Sequence, residues 1–211
     1  MIAWDDTQWR FARPAAFADA TTLALSDETA GLVAGTQVAT AHGWCRVVDI
    51  APGDDVLTLD NGMVPVSGVA RRSIMTAGPR PPARLWPLLA PPGALNNREA
   101  LLLTSDQPVM LESDTAEAAL GEPFCTVPAA ALDGFRGIAR VMPPARIDIV
   151  MLRFARPQVI FGNHGALLAC REGAAGLTLA QGRRLVRYLE LEDAGERFTV
   201  RAADVLGASA A

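Results

Sequence analysis

The chain has 211 residues and a mass of 22.3 kDa, the size of one ordinary domain with room for extensions. Half of it is hydrophobic, mean hydropathy is +0.20 and only 20% is charged, which excludes global disorder and supplies a core. Net charge is −4 with a pI near 5.2, so the chain predicts no nucleic-acid-binding surface, and the absence of any lysine excludes a Schiff-base or P-loop lysine.

Three scattered cysteines (Cys45, Cys125, Cys170) fit neither a disulfide framework nor a zinc module, and their odd number suits a reducing compartment. The opening Met1-Ile2-Ala3-Trp4-Asp5-Asp6 lacks the basic and apolar regions of a Sec signal. No apolar run reaches about 18 residues, so no membrane span is expected. A cytoplasmic location is the default expectation, with export that needs no signal left open.

In chain order, residues 1–30 form an extension whose aromatic residues Trp4, Trp9 and Phe11 predict packing onto the body. From Gly35 the pattern is β. Runs at 36–40 and 44–48 flank Ala41-His42-Gly43, read as a three-residue hairpin loop ended by a positive-φ glycine. Residues 55–59 and 63–69 flank Asp60-Asn61-Gly62, a second hairpin, and Pro65 predicts an edge or bulge because it removes a ladder donor. Residues 77–99 read as a long irregular connection, and the proline-rich stretch 79–92 within it, with Trp86, as either a partner-binding loop or an ordered cover on the sheet. Further β segments are predicted at 99–104, 109–111, 147–154, 158–161 and 166–170. Thr178-Leu179-Ala180-Gln181 is a capping-box pattern that opens a short helix over 179–191, in which Gly182 costs about 1 kcal/mol. The last fifteen residues carry no readable pattern.

One block is more specific than any isolated motif. Gly31-Leu32-Val33-Ala34-Gly35-Thr36-Gln37-Val38-Ala39-Thr40 is followed by His42-Gly43, Val47-Val48-Asp49-Ile50, Pro52-Gly53-Asp54, Val56-Leu57-Thr58 and Asp60-Asn61-Gly62. It resembles the opening of Hint (hedgehog/intein) domains, in particular the bacterial intein-like subgroup. Leu103-Thr104-Ser105-Asp106-Gln107 is similar to the family's T-x-x-H block, and Ile149 to Gly165 to its late hairpin. The resemblance implies an all-β Hint-like fold of bent hairpins with pseudo-twofold symmetry, plus the short C-terminal helix. It divides the chain into the extension 1–30, a Hint-like domain 31–175 and a helical extension 176–211.

Active members of that family cleave their own backbone by an N–S acyl shift. A cysteine at the start of the domain attacks the preceding carbonyl, and a histidine protonates the departing nitrogen. Here the nucleophile position is Gly31, which has no side chain, and the histidine position is Gln107, which donates hydrogen bonds but exchanges no proton near neutral pH. Of the second block only Thr104 remains. The resemblance therefore implies a degenerate autoprocessing site at Gly31, Thr104 and Gln107, with no cofactor and no metal. The alternative is residual cleavage by a substituted nucleophile, Ser26, Thr29 or Cys45. A protein partner is a further expectation, and nucleic acid is not.

The remaining candidates have plainer readings. His42 with Cys45 gives half of a metal site, and His164 could pair with Cys125 or Cys170, yet any chain with this many thiols and imidazoles offers such pairings. Asn163-His164 between two glycines reads as turn chemistry. Arg71-Arg72 reads as a solvated strand end.

Overall fold

The computed structural model describes residues 30–76, 81–170 and 176–207. The expected packing of residues 1–30, and the candidates Ser26 and Thr29, lie outside these apart from Ala30. Strand β1 (Leu32–Val33) leads to the hairpins β2 (Gln37–Thr40) with β3 (Gly43–Arg46) and β4 (Asp55–Thr58) with β5 (Gly62–Pro65), then to the long β6 (Gly68–Met75). Next come β7 (Leu88–Ala90), β8 (Leu101–Leu103), β9 (Pro108–Glu112), helix α1 (Asp114–Leu120), β10 (Phe124–Pro128) and β11 (Ala139–Arg140). Strands β12 (Arg146–Arg153), β13 (Gln158–Gly162) and β14 (Ala166–Cys170) and helices α2 (Leu179–Asp193) and α3 (Ala202–Leu206) follow.

The fold is mainly β, as expected. Two antiparallel sheets form, one of six strands in the order β11-β7-β8-β1-β12-β6 and one of eight in the order β10-β9-β14-β13-β2-β4-β5, with β3 on β2. Apolar residues of both sheets meet in one core with Leu88, Leu103, Phe135, Ile160 and Leu168 fully buried. Leu185, Val186 and Leu189 of α2 and Val205 of α3 join that core, so the helical extension shares it. Burial of such side chains contributes about 1.5–3 kcal/mol each.

Local chemistry explains the turns. The β2–β3 loop is two residues, Ala41-His42, rather than three, because Gly43 already pairs with Thr40. Thr40 Oγ1 donates to the Gly43 carbonyl (2.7 Å) and accepts from the His42 amide, while Gly43 takes φ +100°. Thr58 repeats the device at the β4–β5 turn with Gly62 and Asn61. Strand β5, with Pro65, is an edge strand as its sequence requires.

The proline-rich stretch is more ordered than an irregular connection. Trp86 Nε1 donates to the Pro81 carbonyl, and Leu88–Ala90 enters the six-stranded sheet between β8 and β11. Asn97, only 1% exposed, holds the return: its Oδ1 accepts from Leu95 N, and its Nδ2 donates to the carbonyls of Pro91 and Glu99. Prolines cannot supply these donors, so one buried amide does so.

Arg71 and Arg72 are not a solvated strand end. Both are half-buried in the middle of β6, and Arg71 Nη2 donates to the carbonyls of Val48 and Ile50. Two helices were unforeseen. In α1, Ser113 Oγ accepts from Ala116 N and Gly121 closes the helix at φ +82°. The other, α3, caps the described chain. The capping box of α2 forms, with Gln181 N donating to Thr178 Oγ1 and Thr178 N to Gln181 Oε1. No helix among the described residues is long and apolar enough to cross a membrane.

Candidate functional site

The three site positions converge because β1 is wedged between β8 and β12, with Leu32 opposite both Leu103 and Val150. Gly31 enters β1 just as Thr104 leaves β8, and Thr104 Oγ1 donates to the Gly31 carbonyl at 3.2 Å. A turn then brings in Gln107, whose amide N–H donates to the Thr104 carbonyl. Its side chain is spent on the backbone: Nε2 donates to the carbonyls of Pro108 (3.0 Å) and Ala169 (3.2 Å). Thr104 and Gln107 are both 3% exposed, so these are buried, satisfied polar groups.

Gly31 is buried, with φ +155°, and a Cβ placed there would lie 3.1 Å from Ile149 Cδ1 and 3.4 Å from Met151 Cγ. Larger residues fit only if β12 side chains give way by a few tenths of an ångström.

A cleft of about 420 Å³ opens beside these residues. Gly31 and Gln107 form part of its wall together with Pro108, Ala169 and Cys170, and the exposed Arg153 and Arg156 stand on its rim. Among the described lining residues there is no carboxylate and no imidazole. The one thiol on the wall is a poor nucleophile, because burial pushes Cys170 from its ordinary value of 9.0 up to about 12. Cys170 and the two arginines were not among the sequence candidates for this site. Only the turn Arg153-Phe154-Ala155-Arg156-Pro157, legible as a basic turn before a strand, hinted at them.

The other candidates lie elsewhere. Cys45 is half-buried on β3 and does not line the cleft; burial, then Asp49 and Asp54, raise its pKa while Arg46 lowers it. Cys125 is buried on β10 opposite Leu111, and burial pushes its thiol up to about 11. His42 sits at the exposed tip of the β2–β3 hairpin. The His164 ring packs on Trp44 with centroids 4.1 Å apart, and its Nε2 lies 3.8 Å from Glu99 Oε1. Among the described residues no three His, Cys, Asp or Glu side chains are grouped to hold a metal ion.

Asn163 and His164 do make a turn, both at positive φ (+41° and +66°). Asn163 Oδ1 accepts from Gln37 N and its Nδ2 donates to the Ala100 carbonyl, so the side chain ties β2 to the β7–β8 connection.

No protein of curated function matches the sequence. Several solved structures are similar. A bacterial intein-like domain from Clostridium thermocellum is 18% identical, covering 67% of this chain and 99% of that one, with a TM-score of 0.44. The gp41-1 intein is 12% identical over 67% and 98%, with a TM-score of 0.41. The MchDnaB-1 intein is 13% identical over 66% and 99%, also at 0.41. The family described as the Hint domain matches residues 30–168, well over half of the sequence and the stretch that builds both sheets. The chain belongs to the Hint domain family.

Proposed function

We propose that this Hint domain has lost self-cleavage and serves as a non-catalytic scaffold or interaction domain, built as a β domain over 31–175 with the helical extension 176–211 locked onto it. One observation carries the reading. The position that needs a nucleophile is a glycine, and the position that needs a proton donor is an amide whose N–H groups are bonded to Pro108 and Ala169. An acyl shift requires an attacking sulfur or oxygen and a group to protonate the leaving nitrogen. Loss of the acid alone removes a factor of roughly 10²–10⁴, and loss of the nucleophile removes the reaction.

The cleft beside Gly31 favours a second reading, residual cleavage with a substituted nucleophile, since Cys170 shares its wall. The raised thiol pKa and the lack of a carboxylate or imidazole among the described lining residues weigh against it. Intact mass after prolonged incubation with dithiothreitol separates the two. The expected result is an unchanged 22.3 kDa species. Scission at Ala30–Gly31, or a thiol adduct of the N-terminal fragment, overturns the proposal.

A further inference from the structure

The six-stranded sheet is apolar on both faces. Side chains alternate along a strand, and directly paired residues share a face. Leu32, Leu88, Leu103 and Val150 point into the main core. Val33 therefore points the other way, opposite Ile149, and Ile147 lies opposite Ile74 on the same outer face. The pairing of Leu32 with Leu103 sets Leu102 beside Val33.

Val33, Ile147 and Ile149 are only 5%, 4% and 1% exposed, and they form a cluster separate from the main core. The apolar residues packed against that cluster, Ile74 and Leu102, belong to the same sheet. Neighbours about 4.8 Å away in a sheet shield the flanks of a side chain but not its top, and a layer about 10 Å above is needed for that. Among the described residues no apolar side chain of another layer joins the cluster.

We propose that the cover is the chain's own N-terminal segment, residues 1–29, which docks across the outer face of the six-stranded sheet. The segment ends where the described chain begins at Ala30, three residues before Val33 at the centre of the apolar stripe. Its composition suits the surface. Trp4, Trp9, Phe11 and Phe17 provide large apolar anchors, and five carboxylates outnumber two arginines, while the charged member of the stripe, opposite Ile149, is Arg72. Its length suffices as well: six strands span roughly 25 Å, which about eight extended residues cross. The peptide ahead of Gly31 is then a layer of the fold rather than a fragment poised to leave.

Limited chymotrypsin digestion of the full chain tests this, read by mass spectrometry at Trp4, Trp9, Phe11 and Phe17 and paired with hydrogen exchange over residues 1–29. Protection of the segment is expected, with cleavage after Phe17 speeding up about tenfold or more in a Trp9→Ala/Phe11→Ala variant that leaves the sheet untouched. Leu102→Glu, on the half-buried part of the face, is expected to release the same peptides while far-UV circular dichroism stays β. Cleavage and exchange of the wild-type segment at unfolded-chain rates overturn the proposal. So does protection lost on dilution together with a dimer in sedimentation, which would make a second copy the cover. The result is independent of self-cleavage, which changes the intact mass and not the protection of an uncut segment.

Discussion

Thr104 Oγ1 donates to the carbonyl of Gly31, whereas an acyl shift at this junction would attack the carbonyl of Ala30, one residue earlier. The surviving threonine of the block is thus a buried structural donor. Thr104→Val keeps the shape and leaves the Gly31 carbonyl without this partner. The expected effect is a loss of about 1–2 kcal/mol in urea unfolding with no change in intact mass.

Restoring the family's nucleophile is not expected to restore its chemistry. In Gly31→Cys the new Cβ meets Ile149 Cδ1 at 3.1 Å, and Gln107 still provides no proton. The variant should remain at full mass in dithiothreitol and be less stable by about 1–3 kcal/mol from overpacking. A thiol-dependent fragment from this single substitution would mean that the site keeps more function than its hydrogen bonding suggests.

Two glycines separate conformational freedom from close approach. Gly182 lies inside α2, where alanine ordinarily adds about 1 kcal/mol. Here a Cβ would sit 2.9 Å from Ala131 Cβ and 3.3 Å from Val127, so Gly182→Ala is expected to lower stability by about 1–2 kcal/mol instead. Gly165→Ala should be worse, since its Cβ would fall 2.1 Å from the backbone oxygen of Asn96, which cannot rotate away. Thermal melts of the two variants beside wild type give both the sign and the ranking.

The buried thiols set an alkaline limit. Burial raises Cys125 to about 11 and Cys170 to about 12 from an ordinary value of 9.0. Both stay protonated in the folded state after the unfolded chain has begun to ionise. Their contribution is complete below about pH 9 and is lost as pH rises toward 11–12, at up to about 1.4 kcal/mol per pH unit for each thiol. Urea midpoints between pH 8 and pH 11 should fall, and fall less in Cys125→Ala/Cys170→Ala. Iodoacetamide at pH 8 should label the half-buried Cys45 first.

Much of the β framework was legible because its signals are local. The apolar β run 147–154, Asn61-Gly62 between apolar runs and the Thr178–Gln181 box each act within a few residues, and each forms, the run as β12 over Arg146–Arg153. That Gly31, Thr104 and Gln107 belong together was legible too, from the spacing of the two blocks, and the structure brings them to one place. What was missed depended on neighbours far along the chain. The proline-rich stretch becomes a strand because Asn97 and the waiting edge of β8 satisfy its backbone.

The sequence by itself determined a Hint-type β chain with a glycine at 31 and a glutamine at 107, because residue identity alone decides which side-chain atoms a position offers. Only the tertiary structure decided what these positions meet: the glutamine bonds to the Ala169 carbonyl sixty-two residues away, the glycine borders a cleft shared with Cys170, and the six-stranded sheet is apolar on both faces. Those depend on which backbone groups and side chains meet across the fold, and pairing over such separations leaves no periodic trace in the chain.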